Sequence, residues 1–542
     1  VIRAAALALL LLGAPLGAEV VRIHELSPAQ LGALRAEYDF WGIDRAADAA
    51  VFRLAPADRV RLEAAGLRIE TDRERNAELA AWNAIDRSGF RRGAGGSIPG
   101  FSCYRTVTQT HADLEALAVQ YPDRARWVEV GDTWQADNGS AAGDTIRALV
   151  IENPSSPHPR APLVVMAAQH ARELATAELA TRFAELLVAN PADDPDIDWL
   201  LDHRQVHVIA QQNPDGRRQV EAGESFWRKN HNETACPSTN PGIDLNRNST
   251  IFWGDFSSGS ACSDAYRGPV VASEPETQAI QDYLATVFAD QRPGDLTTPA
   301  PLDSEGLFIS IHSFGELVLF PWEGLDAGNE NNAPNHDGLA ILGRRMAAPT
   351  GYDVGRWQLL GPAGGTTVDY AYHEFGVAAY TYEVGTTFQQ SCSSFESTIW
   401  PDNRDALLLA AKAARRPYLE PAGPSITALA ATTDDDVRLT GTADDTLYFR
   451  GGVTEPPVSD PIGDIVELRV AAGAPADTGA PTWSFPIAAP APVTPFDVTL
   501  PTGATLPANG RLFVTAIDSA GQEGLPRMVR VPVPLFADGF ES

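Results

Sequence analysis

The chain has 542 residues, with 41 Lys+Arg against 71 Asp+Glu and a formal net charge of −30. That length exceeds one ordinary hydrophobic core and predicts three or more folded units, and a hydrophobic content of 44% excludes a chain that is disordered as a whole. The negative charge excludes nucleic acid and anionic membrane as main partners.

Residues 1–18 (VIRAAALALLLLGAPLGA) place Arg3 before an apolar run, a Pro/Gly break and small residues. This predicts a Sec-type export signal, too short for a membrane span, and no later stretch predicts a transmembrane helix. The expected location is secreted or periplasmic. Export favours two disulfides among Cys103, Cys236, Cys262 and Cys392. Three pairings are open, and no C-x-x-C suggests a zinc knuckle.

Residues 19–86 read as a compact α+β unit. Val20–Leu26 alternates like a strand, and Ser27-Pro28-Ala29-Gln30 is a helix start with a capping box. Strands near 40–45 and 50–54, a helix at 56–65 and a strand at 67–71 complete a βαββαβ order, the ferredoxin-like arrangement. A polar helical stretch runs from Arg73 to Asp86. Residues 87–100 (RSGFRRGAGGSIPG) are a Gly/Ser-rich linker in which Arg91-Arg92 invites proteolysis.

Residues 101–420 hold all four cysteines. Apolar runs at 147–151, 163–168, 206–211 and 307–311 alternate with helical stretches at 114–120, 174–189 and 275–289. This predicts an α/β fold, a mixed but mostly parallel sheet with helices on both faces. Residues 424–532 are rich in Thr, Pro, Gly, Asp and Val, lack His, Cys and Lys, and predict an all-β sandwich. Without those side chains the sandwich is a poor seat for chemistry; binding of substrate, of a cell surface or polymer, or of Ca²⁺ is open to it. Asp434-Asp435-Asp436 and Asp444-Asp445 are oxygen-rich enough for Ca²⁺, but such runs are more often solvated turns. Residues 533–542 form a short tail.

Several residue groups in the central unit carry chemistry. His170-Ala171-Arg172-Glu173 follows an apolar strand and opens a helix, so His170 and Glu173 can face one ion, and both donors suit Zn²⁺. His312 ends a strand buried on both faces, and ligands gather at the carboxyl ends of such strands. Trp227-Arg228-Lys229 and Asp244-Leu245-Asn246-Arg247-Asn248 crowd guanidinium and amide groups suited to binding a carboxylate. Glu383 ends the apolar strand Tyr380–Val384, where a half-buried carboxylate with a raised pKa can move protons.

Together, HARE (170–173), NPDG (213–216), FWRKN (226–230), GIDLNRN (242–248), CSDAYRG with SEPET (262–268, 273–277), ISIHSF (309–314), PW (321–322) and TTVDYAY…YTYEVG (366–385) resemble the zinc carboxypeptidases of the pancreatic A/B type over about residues 101–415. Residues 19–86 resemble that family's inhibitory pro-segment in pattern rather than in motifs. The resemblance implies one Zn²⁺ on His170, Glu173 and His312, with the fourth position left to water. It implies Glu383 as general base and acid, and Arg228 as the oxyanion's partner. Asn246 and Arg247 would hold the substrate's terminal carboxylate, with Arg172 as a secondary contact. It also implies a Cys236–Cys262 loop disulfide, which leaves Cys103 with Cys392.

The implied activity is a secreted metallocarboxypeptidase, made as a zymogen and acting on peptide or protein C-termini. One departure stands out: where the family has a mobile Tyr, counting back from Asp369 reaches Gly361. The pocket-floor position is Val368, which favours aliphatic or aromatic terminal residues over Lys or Arg. Two other readings are a zinc amidohydrolase acting on cell-wall or other small amides, and a non-catalytic binding protein on the same fold.

Overall fold

The computed structural model describes residues 17–532 except 45–46, 86–94, 190–193, 225, 238–239, 325–331, 434–435 and 454–456. Most of the export segment and of the 87–100 linker, Asp434-Asp435 and the 533–542 tail lie outside the described residues.

The N-terminal unit runs strand Glu19–His24, helix Pro28–Glu37, strands Asp39–Asp44 and Ala49–Leu54, helix Pro56–Ala64 and strand Arg68–Thr71. Ser27 and Gln30 cap the first helix reciprocally. The antiparallel sheet has Asp39–Asp44 at one edge, then Ala49–Leu54, Glu19–His24 and Arg68–Thr71. Val21, Ile23, Phe52 and Leu54 pack against Leu34 and Leu62 of the helices and against Tyr38, which caps the first helix at its C-terminus.

The central unit is built on a mixed sheet. Its strands, in spatial order, are Asp353–Gly355, Leu317–Leu319, Ala378–Glu383, Leu307–His312, Ala161–Ala167, Arg204–Ile209, Thr145–Ile151 and Ala125–Asp132. The four strands from Ala378–Glu383 to Arg204–Ile209 are mutually parallel. Every residue of Leu307–His312 and Ala378–Glu383 is buried, because helices cover both faces of the sheet. Helix Leu174–Ala189 is buried along most of its length. The disulfides are Cys236–Cys262 and Cys103–Cys392, and the second ties residue 103 to a helix 289 positions away.

The C-terminal unit contains a three-stranded and a four-stranded antiparallel sheet. Leu439 and Phe496 from one sheet share a core with Leu468, Val470, Leu512 and Val514 from the other. Its short strand Gly452–Val453 pairs in parallel with Asp353–Gly355 and so becomes a ninth strand of the central sheet. Arg345 of the central unit is buried against this domain. It donates to Pro421 O (2.9 Å) and Tyr448 Oη (2.8 Å), and its guanidinium lies 3.9 Å from the centre of the Tyr448 ring. Asp445 is buried at this junction and accepts a bond from Gly463 N (2.7 Å), which gives one of the paired aspartates a structural place. Among the described residues, no helix is long and apolar enough to cross a membrane.

Candidate active site

The site forms where parallel strands end. Pairing sets Ile311 beside Ala167 and His312 beside Glu383, so the residues that leave these strands meet at one edge. His170 lies in the turn after Ala161–Ala167, and Glu173 immediately precedes helix Leu174–Ala189.

His170, Glu173 and His312 are all buried, and their ligand atoms lie within 4.8 Å of one another. His170 Nδ1 is 2.7 Å from Glu173 Oε1 and 3.1 Å from His312 Nδ1, and His312 Nδ1 is 3.2 Å from Glu173 Oε2. A tetrahedral ion with zinc-to-nitrogen bonds near 2 Å needs donors roughly 3.3 Å apart, so this donor set fits Zn²⁺. The far ring nitrogens are occupied: His170 Nε2 meets Asp244 Oδ1 at 3.2 Å and His312 Nε2 meets Ser310 Oγ at 2.9 Å. Such outer contacts fix ring orientation and leave both Nδ1 atoms facing the centre. Ser313 N donates to Glu173 Oε2 at 3.1 Å. Burial alone would raise the Glu173 carboxyl, but His170 and His312 hold it far below the usual range.

Asp244 organises the next layer. It is buried, caps the short helix Leu245–Arg247 by accepting from Asn246 N (3.0 Å), and accepts from Arg228 Nη2 (2.8 Å) and Nε (3.1 Å). Burial opposes its charge, but Arg228 and Arg247 keep its carboxyl well below the usual range. Arg228, which the sequence leaves without an evident counter-ion, thus has one, and its Nη1 sits 3.2 Å from His170 Nδ1. Lys229 faces away and donates to the carbonyls of Asn240, Ala261 and Ser263, which pins the disulfide loop.

Asn246, Arg247, Arg228, Arg172 and Glu383 line one cleft with His170 and Glu173. Asn246 Oδ1 accepts from Thr367 N (3.2 Å), which holds the amide in place. Arg247 is buried, and its Nε has no hydrogen-bond partner. A buried guanidinium N–H left unpaired is costly unless a ligand completes it. Burial pushes Glu383 up to about 8; Glu173 and Glu323 add to this while His312 and Arg228 oppose it.

The N-terminal unit forms part of the same cleft through Arg35, Tyr38, Phe40, Trp41 and Gly42. Arg172 is fully buried and pairs with Asp39 at 2.7 Å, so its partner here belongs to that unit. Trp41 stacks on Phe226 with ring centres 4.8 Å apart, and Val20, Val51 and Leu79 pack with Phe314 and Phe388.

Val368 is buried in helix Thr367–Phe375 and is not among the residues lining the cleft. Its neighbour Asp369 accepts from the backbone N–H groups of Glu323 (2.9 Å) and Gly324 (2.8 Å). Gly361 has φ of +85°, and a Cβ there would lie 2.8 Å from Arg35 Nη1. The sequence reading gave no role to Asp244, Ser310 or Glu323. Asp244 had one signal, a carboxylate two residues before an Asn-Arg pair; Glu323 had none.

A family model described as zinc carboxypeptidase matches residues 110–408. The carboxypeptidase B of Helicoverpa zea is 29% identical over 320 residues, covering 55% of this chain and 66% of that protein. Mouse carboxypeptidase A4 is 26% identical over 329 residues, covering 57% of this chain and 67% of that protein. The crystal structure of carboxypeptidase A from Helicoverpa armigera has the same fold, with a TM-score of 0.57 at 22% identity, over 74% of this chain and 98% of that one.

Proposed function

The chain belongs to the zinc carboxypeptidase family, and on that premise we propose that it removes the last residue of peptides and proteins and is exported as a zymogen held by its own N-terminal unit. The zinc site is His170, Glu173 and His312. The observation that carries the activity is the unpaired Arg247 guanidinium N–H beside Asn246, in the same cleft as Glu383 and the metal site. A terminal carboxylate completes Arg247 and offers an acceptor to the Asn246 amide, and an internal peptide bond offers neither. This clamp sets the last peptide bond over the metal site.

Zinc, when bound, supplies the Lewis acid that polarises the scissile carbonyl and a water. Arg228, braced by Asp244, presents Nη1 beside the ligand cluster, where it meets the negative charge that grows on the carbonyl oxygen. Glu383, whose carboxyl burial raises towards neutral, takes the proton of the attacking water and returns it to the leaving amine.

Autoinhibition is supported by the Asp39–Arg172 pair and by the aromatic packing that seats the N-terminal unit over the cleft. Release follows cleavage between 87 and 100, where Arg91-Arg92 offers a tryptic site. Two disulfides and the leader-like residues 1–18 support export.

The test uses the full-length zinc-loaded chain before and after limited trypsin nicking, on peptides with free or amidated C-termini, with and without a chelator. Chelator-sensitive release only from free ends, rising on nicking and abolished by Glu383→Gln, is the expected result. Equal release from amidated ends overturns the Asn246–Arg247 clamp and favours an amidohydrolase. Metal-bound protein that releases nothing from any peptide overturns the activity.

A further inference from the structure

We propose that Arg217 is a positioning residue for the metal site: it grips the main chain of Glu173 from outside the cleft and so fixes that carboxylate for the ion. The inference rests on the zinc site rather than on the peptide activity, and its readouts need no substrate.

The turn that carries His170 and Glu173 is held by helix Pro214–Ala222, which opens within the Asn213-Pro214-Asp215-Gly216 motif. Asn213 caps this helix and Arg217 stands four positions on, so both present to one side of it. Asn213 Nδ2 donates to Gln169 O (3.1 Å) and Lys229 O (3.0 Å), and Arg217 Nη2 donates to Glu173 O (2.7 Å). One helix face therefore holds both ends of the ligand turn, the residue before His170 and Glu173 itself. The helix has little room to slide, since a Cβ at Gly216 would lie 2.5 Å from Lys229 O.

Packing stability does not explain an arginine here. Arg217 is fully buried, and its Nε and Nη1 have no hydrogen-bond partner. Burial disfavours its charge, while Glu221, Glu173 and Tyr104 favour it. Glu221, one turn along the same helix, accepts from Val107 N through Oε1 (2.6 Å), and its Oε2 is unpaired. Glu173 O does not depend on the guanidinium, because Thr176 Oγ1 also donates to it at 2.8 Å. An apolar side chain at position 217 would orphan no carbonyl and would remove two unpaired N–H groups, and Glu221 would keep the attraction of Arg218. Such replacements of buried charge are often neutral or stabilising. What the arginine adds is a charge-assisted bond to the main chain of a metal ligand, stronger than a neutral one. Outer contacts of that kind orient the ligands and strengthen metal binding.

The test measures zinc affinity of the full-length chain by competition with a chromophoric chelator, for the unsubstituted protein and for Arg217→Met, Arg217→Gln and Arg217→Lys. The melting temperature of each metal-free protein and the absorption bands of each cobalt(II)-loaded protein are recorded alongside. The two neutral variants should bind zinc about tenfold more weakly, the lower end for loss of an outer contact, while their metal-free melting temperatures stay within a few degrees. Arg217→Lys still brings a charged donor towards Glu173 O and should stay within about threefold. The cobalt bands report ligand geometry and should change in the neutral variants but not in the lysine variant. Should Arg217→Met fail to fold, Arg217→Gln decides. Unchanged zinc affinity in the neutral variants overturns the proposal. Tighter zinc there overturns it as well, because the arginine would then act only by repelling the ion. Equal losses in all three variants, with lowered melting temperatures, would show a packing role alone and would also overturn it. Peptide release plays no part in these outcomes, so this inference and the carboxypeptidase reading fail separately.

Discussion

Replacing Asp39 with asparagine weakens the hold of the N-terminal unit on the cleft by an amount the structure allows to be worked out. Arg172 is fully buried, and its ion pair across the interface is with Asp39 at 2.7 Å. Its other contacts are a 3.3 Å bond to Phe40 O and a 4.1 Å approach to the centre of the Phe388 ring, and its Nε is unpaired. The asparagine side chain keeps the shape but loses the charge and one of two acceptors, the second of which holds Trp41 Nε1 at 3.0 Å. A hydrogen bond to a charged group contributes about 1.5–3 kcal/mol. Part of the loss is offset by Asp264. Burial and Asp39 both push its carboxyl up, and it can turn its charge to Arg172 once position 39 is neutral. The net is about 2 kcal/mol, or about thirtyfold in the docking equilibrium. The assay is peptide hydrolysis by the uncleaved chain, expressed as a fraction of the nicked chain's rate, with hydrogen exchange over Asp39–Asp44 as a structural readout. Both should rise about thirtyfold. Unchanged residual activity and unchanged exchange would show that this ion pair does not seat the domain, and the reasoning would fail.

Three further outcomes are expected. His312→Ala should lower bound zinc from about one per chain to under a tenth by elemental analysis, whereas Glu383→Gln should keep the metal and lose hydrolysis by about a thousandfold. Arg345→Ala leaves the carbonyl of Pro421 and the Tyr448 hydroxyl short of a donor at the C-terminal junction, and should cost about 3 kcal/mol by chemical denaturation, with little change in kcat/KM. Burial and the neighbouring Glu274 charge push the Glu276 carboxyl up to about 8 from an ordinary 4.5. The folded state then holds a proton that the unfolded chain has released, so this contribution is full below pH 4.5 and fades as pH rises to about 8. Melting temperature should fall by a few degrees between pH 5 and pH 8, and Glu276→Gln should flatten that slope; an unchanged slope would show that Glu276 is charged when folded.

Much of the molecule was legible in the sequence because its signals are local. Ser27 and Gln30 cap a helix through bonds three residues apart, and Leu174–Ala189 begins and ends where its apolar pattern does. Strands 307–312 and 378–383 carry few polar residues because both faces are covered, and that composition shows without knowing what covers them. His170 and Glu173 share one turn, and the ordered motifs led to His312 as the third ligand. Pairings between loops distant in sequence had no such period. Asp244 reaches Arg228 and His170 only because the loop that carries it folds back over the strand ends. Glu323 gives no sign in sequence of lying buried with Oε1 unpaired, since the cleft it lines is completed by residues from separate segments, among them Leu319, Trp357 and Ala363. The bonding of Arg35 to Pro362 O, the pairing of Asp39 with Arg172, and the pairing of Gly452–Val453 with the central sheet join units whose own sequence patterns are complete without each other. Sequence by itself determined the local elements, the metal donors and the α/β class, because each follows from neighbours along the chain. Tertiary structure alone decided which charges are paired, which is left bare in the cleft and which unit covers it, because these depend on surfaces that exist only once the domains have packed.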